Sequence, residues 1–316
     1  MQLHDSLLGQ LGIFVLEAKN HISVCIPTYK RPAMLSKLLG ELQNQVTNGL
    51  FTYSIVVVDN DFNESAKSIV DEWKRKSLIR IVYYNEPEQN IAIARNKAVE
   101  NAKGDFIAFI DDDEFPNDEW LLNLYKTFHE FRADGILGPV KPHFEKEPPK
   151  WIIKGRLCDR ESFPTGTIIQ NPKYTRTGNV LLNKQIFVEN GRPFDPRFGR
   201  TGGEDVEFFK SIIQRGNILV WCQEASVKEI VPPERLKRSY FLRRALLRGV
   251  VNSEKVSLLS SDILRSVMAL ILYTLALPVF LLVRHDLFMK YLIKDCDHLG
   301  KLLGIWGLKI VKERNF

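Results

Sequence analysis

The chain has 316 residues, enough for one large domain or one domain with an appendage, and 45% of them are hydrophobic, enough for a sizeable core. A net charge of +6 and a pI near 9.0 favour an anionic partner such as nucleic acid, nucleotide phosphates or an acidic membrane surface. The four cysteines, Cys25, Cys158, Cys222 and Cys296, are scattered without CxxC spacing, which argues against a disulfide frame or a zinc site and for reduced thiols in a cytosolic compartment.

Residues 1–20 read as an N-terminal extension. Its apolar run Leu7 to Leu16 is bracketed by Asp5 and Glu17 with no basic segment before it, unlike a signal peptide. "HISVCIPTY" (21–29) is then a short, β-branched apolar strand. Residues 32–45 carry leucines at helical spacing. "YSIVVVDN" (53–60) is a second strand, 64–76 a helix, "IRIVYYN" (79–85) a third strand, 91–103 a helix and "GDFIAFID" (104–111) a fourth strand. Continuous apolar strands separated by helices predict an α/β fold with a mostly parallel sheet covered on both faces. Ligands of such sheets bind beyond the carboxyl ends of the strands. The polar residues there are Thr28 and Lys30, Asp59 and Asn60, Asn85 to Asn90, and Asp111 to Glu114.

The second half is less regular. "GILGPVKPHF" and "TGNVLLNK" read as strands, 204–215 as a helix, "NILVWC" (217–222) as a strand and 234–250 as a very basic helix. The stretch 266–283 holds 18 residues without a charge. As a helix it would be about 27 Å long, close to the ~30 Å hydrocarbon core of a bilayer. Arg265 and Arg284 flank it on both sides and Pro278 interrupts it, so it reads as an interfacial or re-entrant insertion, with a buried helix as the alternative. "LGKLLGIWGLKIVK" (299–312) also suits a membrane interface or a packed terminal helix.

Four acids, Asp111 to Glu114, end a buried strand. Carboxylates so placed can share a divalent cation, since Mg²⁺ and Mn²⁺ favour oxygen ligands; the alternative is a set of solvated acids at a helix start. "GGEDVEFF" (202–209) offers a second carboxylate pair, suited to drawing a proton from a hydroxyl or simply to opening a helix.

In this order, "SVCIPTYKRPAMLSKLL", "IVVVDND", "NIAIARNKAVENAKGDFIAFIDDDEFPNDEWL", "TGNVLL" and "TGGEDVEFFKSIIQRG" resemble the family 2 glycosyltransferases of GT-A fold. The likeness is greatest to bacterial exopolysaccharide and O-antigen enzymes of the succinoglycan glucosyltransferase kind. The resemblance implies a GT-A domain over 21–250, with a nucleotide-binding half to 115 and an acceptor half from 116, followed by a membrane-associating helical tail over 251–316. It implies transfer of a sugar from a UDP-sugar to a hydroxyl, with inversion and with Mn²⁺ or Mg²⁺. Pro27, Thr28, Tyr29 and Arg31 would contact the nucleotide, and Asp59 and Asn60 would read the base. Asn60 stands where many relatives carry an acid, a departure from the family pattern at the base-contacting position. Arg95 would face the nucleotide or hold the loop. Asp111 and Asp112 would contact the donor; Asp113, with Asp111 or Glu114, would hold the metal. Asp205 would be the general base, with Glu204 orienting acceptor or loop and Gly202 and Gly203 allowing close backbone approach. Gly178 and Asn179 would lie near metal or acceptor, or on a plain strand edge. Trp151 would line the acceptor cleft. Arg243 and Arg244 would grip phosphates of the donor or of a polyprenyl-diphosphate-linked or lipopolysaccharide acceptor, and other cations of their helix would face anionic lipid. The expected location is the cytoplasmic face of the bacterial inner membrane, peripheral or monotopic through 266–283.

A dinucleotide-dependent oxidoreductase would need GxGxxG after its first strand, where this chain has "PTYKRP". No helix-turn-helix, finger or aromatic RNA motif supports nucleic-acid binding. The remaining rival is a catalytically inactive relative serving as a membrane scaffold in polysaccharide assembly.

Overall fold

The computed structural model describes residues 19–188, 193–200, 202–253 and 261–307. The Leu7–Leu16 run and residues 308–312 of the expected terminal helix lie outside them. The chain forms two compact units, one built from residues up to 138 and from 163 to 226, the other from 139–162 and from 227 onward.

The first unit is organised by a seven-stranded sheet. Strands β1 (Asn20–Thr28), β2 (Phe51–Asp59), β3 (Ile81–Asn85) and β4 (Phe106–Ile110) alternate with helices α1 (Pro32–Glu41), α2 (Lys67–Lys76) and α3 (Ile91–Asn101). Short β5 (Glu114–Pro116), α4 (Trp120–Phe131), β6 (Gly135–Leu137), β8 (Asn179–Asn183), α6 (Glu204–Gln214) and β9 (Leu219–Trp221) follow. The sheet order is β3-β2-β1-β4-β8-β6-β9. Its β-branched centre is dry: Val24, Ile26, Ile55, Val57, Ile107 and Ile110 expose none of their surface, as expected where helices cover both faces.

β1 pairs in parallel with β2 and β4, and β2 with β3. The register sets Thr28 beside Asp59 and Asp59 beside Asn85, so three polar strand ends stand in a row. β8 runs antiparallel to β4 and β6 and lies between them, so Asn179 belongs to an interior strand and not to a strand edge.

"GILGPVKPHF", read as one strand, is two. It breaks at Gly138–Pro139: β6 stays in the main sheet, while β7 (Val140–His143) enters the second unit and pairs in parallel with β10 (Val227–Ile230). Proline has no N–H to continue a ladder.

Helices α5 (Lys150–Gly155), α7 (Arg238–Ser253), α8 (Ser261–Val283) and α9 (His285–Ile305) complete the second unit. The expected boundary at 250/251 thus runs through α7, which packs with the tail. The cause is a near-contact of backbones: a Cβ on Gly249 would lie 2.1 Å from the Asp297 carbonyl oxygen, and one on Gly300 would lie 2.2 Å from that of Leu246. Arg248 Nε donates to Asp297 at 2.7 Å beside this seam.

α8 and α9 form an antiparallel hairpin joined at Arg284: Phe280 stacks on Tyr291 at 4.8 Å, while Thr274 donates to Asp295 at 3.0 Å. Pro278 does not break α8, which continues for 23 residues, about 34 Å. Proline there costs the hydrogen bond to the carbonyl of residue 274 but leaves the neighbouring turns intact. The mean hydropathy of its most apolar 18-residue window is 2.4, with only 6% of that window buried; among the described residues no other helix is long and apolar enough to cross a bilayer. Gly300→Val should cost about 1–3 kcal/mol by forcing α7 from α9. Urea unfolding should show a lower midpoint, and an unchanged midpoint would mean that the two backbones do not meet there.

Candidate active site

Two loops and one helix start converge on Arg95. The acidic loop follows β4. Its backbone turns back on itself, with Glu114 N–H donating to the Asp111 carbonyl at 3.0 Å and Asp111 N–H donating to Glu114 Oε2 at 3.2 Å. Glu114 is buried against Gly178, where a Cβ would approach its Oε1 to 2.5 Å, so glycine is required at that position.

The loop is tied to the end of β1. Thr28 Oγ1 donates to Asp112 at 2.8 Å, and Arg31 Nη1 donates to Asp112 at 2.9 Å and Asp113 at 2.8 Å. Burial opposes the Arg31 charge, but these two carboxylates hold its pKa above the ordinary value. Lys30, between Tyr29 and Arg31, takes a left-handed backbone (φ 53°) that turns the strand into α1.

The strand end of β2 is arranged differently. Asp59 is fully buried and accepts from Ala66 N–H at 2.7 Å, Asp61 N–H at 3.2 Å and Tyr83 Oη at 3.1 Å. Burial still pushes its carboxyl above the usual range. Asn60 donates to the carbonyls of Glu86 at 2.9 Å and Glu88 at 2.6 Å, and accepts from Asn90 N–H at 2.9 Å. A carboxylate accepts but cannot donate, so the amide performs a task here that an acid could not. Asn90 in turn caps α3, accepting from Ala92 N–H at 3.0 Å and Ile93 N–H at 3.3 Å.

Helix α3 presents Arg95 and also positions the segment before α6. Asn90 Nδ2 donates to the Pro196 carbonyl at 2.9 Å, and Asn96 exchanges two hydrogen bonds with the Phe194 backbone, at 2.7 and 2.9 Å. Gly202 (φ 86°) and Gly203 (φ 102°) then turn the chain into α6 through a backbone region that side chains disfavour. The turn delivers Glu204 to Arg95: Nη1 is hydrogen-bonded to Glu204 Oε1, while Nη2 reaches Asp111 Oδ1 at 3.3 Å. Asp205, the next residue, acts on the same guanidinium electrostatically. Burial opposes the charge on Arg95, but Asp111, Glu204 and Asp205 outweigh it and hold its pKa above the usual value. Arg95 Nε and Glu204 Oε2 are buried without a hydrogen-bond partner.

One buried arginine therefore joins the strand-end acids to the helix-start acids. Six carboxylates, Asp111 to Glu114 with Glu204 and Asp205, stand around two guanidiniums, a formal balance of minus four. Hard oxygen donors with this excess charge suit a divalent cation. Among the described residues no three acids, histidines or cysteines converge as a ready cage. A cation would therefore rest on one or two carboxylates, with phosphate oxygens and water completing its shell, which is the usual Mg²⁺ arrangement.

Asn179 is fully buried, accepting from Trp120 Nε1 at 2.8 Å and donating to the Ala225 carbonyl at 2.7 Å, so its amide braces the sheet. Trp151, Arg243 and Arg244 belong to the second unit; Trp151 packs edge-on to Phe241 at 5.5 Å, and Arg244 donates to Tyr240 Oη at 3.1 Å. Sequence reasoning missed Asp61, Tyr83 and Asn96. An asparagine directly after Arg95 on a helix was the available signal for the last.

A mostly parallel sheet, with an acidic loop beyond β4 linked through Arg95 to a Glu-Asp pair at a helix start, has the architecture of a GT-A glycosyltransferase. The Glycosyl transferase family 2 model matches residues 23–192, and the chain belongs to that family. It is 32% identical to the succinoglycan biosynthesis protein ExoM of Rhizobium meliloti over 72% of this chain and 73% of that protein. It is 27% identical to the chondroitin synthase of Pasteurella multocida over 65% of this chain but only 24% of that much longer enzyme. Among solved structures, S. aureus TarS 1-349 in complex with UDP superposes with a TM-score of 0.54 at 18% identity, covering 91% of this chain and 92% of that one.

Arg95→Met would leave Glu204 buried and unpaired. A broken buried pair typically costs about 3–5 kcal/mol; the partly exposed Asp111 arm adds little. Denaturant unfolding should show that loss, and wild-type stability in the variant would mean that the bridge does not exist.

Proposed function

We propose that the chain moves a sugar from a UDP-sugar, with inversion, to a hydroxyl of a lipid-linked oligosaccharide during bacterial surface-polysaccharide assembly. The observation that carries this reading is Arg95, whose guanidinium spans Asp111 and Glu204. Support for the donor comes from the TarS structures with UDP and UDP-GlcNAc, and support for the pathway from the succinoglycan and chondroitin relatives.

In this reading Thr28, Tyr29 and Arg31, with the Pro27 backbone, face the base and ribose. Asp59 and Asn60 fix the loop walls beside them. Asp111 and Asp112 hold the ribose side of the donor, and Asp113, assisted by Asp111 or Glu114, would carry Mn²⁺ or Mg²⁺. When bound, the cation would neutralise charge growing on the departing diphosphate. Asp205 takes the proton of the acceptor hydroxyl as its oxygen attacks the anomeric carbon from the face opposite the diphosphate. A single in-line displacement inverts configuration, so an α-linked donor yields a β-glycoside, and no enzyme nucleophile is used. Glu204, fixed by Arg95, holds the turn that aims Asp205. The exposed apolar surface of α8, flanked by Arg265 and Arg284, supports membrane association, which this reading assigns to the cytoplasmic leaflet.

Asp205→Asn should abolish sugar transfer and leave Mn²⁺-dependent UDP affinity within about twofold, whereas Asp113→Ala should weaken that affinity at least tenfold, a loss of about 1.4 kcal/mol. Calorimetry with UDP beside a transfer assay reads both. Loss of donor binding in Asp205→Asn, or an unchanged dissociation constant in Asp113→Ala, would overturn the assignment. Absence of any UDP binding in the wild type would favour an inactive scaffold.

A further inference from the structure

The second unit contains a cavity of about 600 Å³ whose lining has no role in the chemistry described above. Three elements meet around it. Helix α5 contributes Lys150, Trp151 and Lys154, the first turn of α7 contributes Arg238, and the joint between α8 and α9 contributes Val283, Arg284, His285 and Asp286. The lining holds four cations and one carboxylate. That carboxylate is occupied, since Arg284 Nη2 donates to Asp286 at 2.6 Å. Arg238 lies 3.0 Å from His285 Nε2, which anchors the start of α7 beside the start of α9. The cavity therefore keeps a net formal charge of plus three with His285 neutral.

Its position gives that charge a meaning. Val283 is the last residue of α8, so the cavity opens where the long apolar helix ends. Along that helix Leu275 is 72% exposed and Leu282 87% exposed, a surface suited to hydrocarbon. An anionic head with an apolar tail matches both parts at once: cations where the helix ends, and apolar side chains along its length. Trp151 in the wall adds a flat aromatic face of the kind that packs against sugar rings.

We propose that this cavity binds the diphosphate of a polyprenyl-diphosphate-linked substrate, with the lipid chain lying along α8. This rests on the glycosyltransferase reading above and names where the acceptor is held. Lys150 and Lys154 are one helical turn apart on α5, so both ammonium groups can converge on one phosphate. Arg238 and Arg284 approach from the other walls and suit a second.

The test uses the full chain and phosphatidylcholine vesicles carrying a few per cent of a long-chain polyprenyl diphosphate. Two comparison sets carry phosphatidylglycerol at equal charge, or no anionic lipid with free pyrophosphate in solution. The wild type should bind the polyprenyl diphosphate vesicles at least tenfold more tightly than the phosphatidylglycerol ones. The Lys150→Gln, Lys154→Gln, Arg238→Gln triple variant should lose that preference, because it removes three of the four cations that line the cavity. Its UDP affinity should stay at the wild-type value. Equal binding to both anionic vesicles would reduce the site to a general basic surface and overturn the proposal. So would a variant that keeps the preference, or pyrophosphate binding as tight as vesicle binding. If Lys150→Gln, Lys154→Gln, Arg238→Gln does not fold, Lys154→Gln alone is read for a severalfold loss of preference, and no loss overturns the proposal. Missing UDP affinity in the wild type, with the lipid preference intact, would instead sink the donor assignment and leave this site standing.

Discussion

Arg95 sits at the centre of the first unit. A guanidinium with its surface removed from water is costly unless carboxylates surround it, and carboxylates packed as closely as Asp111 to Glu114 are costly without a cation. Each solves the problem of the other. The consequence is geometric: Asp111 and Glu204, 93 residues apart in the chain, share one planar group. The asparagines on either side of Arg95 make this robust. Asn90 and Asn96 hold the backbone of residues 194–196 against α3, so the turn into α6 can arrive in only one place.

Much of this was legible in the sequence. Continuous apolar strands alternating with helices gave the parallel half of the sheet, and the polar strand ends gave the loops of the site. Asn60 shows the limit. Its departure from the acid found in relatives left its role open, and its two donors meet carbonyls 26 and 28 residues further on. Only the folded loop reveals that an amide is required. The role of Arg95 was open for the same reason, since its main partner lies 109 residues away. The resemblance set Asn179 near metal or acceptor, with a plain strand edge as the alternative, whereas burial and the Trp120 indole make it a brace.

The tail was legible by composition but not by boundary. Eighteen uncharged residues announce an apolar helix, while nothing in "LLRGVVNS" says that Gly249 meets the backbone of α9. Glycines at a close crossing look like any others until the partner helix is known. The same holds for the cavity: Lys150 and Lys154 belong to a segment without a recognisable motif, and their significance comes from the end of α8 beside them.

The claim that orders all the rest is that the strand-end acids and the Glu-Asp pair face a single substrate. Crystals grown with UDP and Mn²⁺, measured at the manganese absorption edge, test it directly. The account predicts an anomalous peak coordinated by Asp113 or Asp111 and by diphosphate oxygens, with the Asp205 carboxylate opening into the same cleft. A peak elsewhere, or an Asp205 carboxylate walled off from the bound nucleotide, would contradict it.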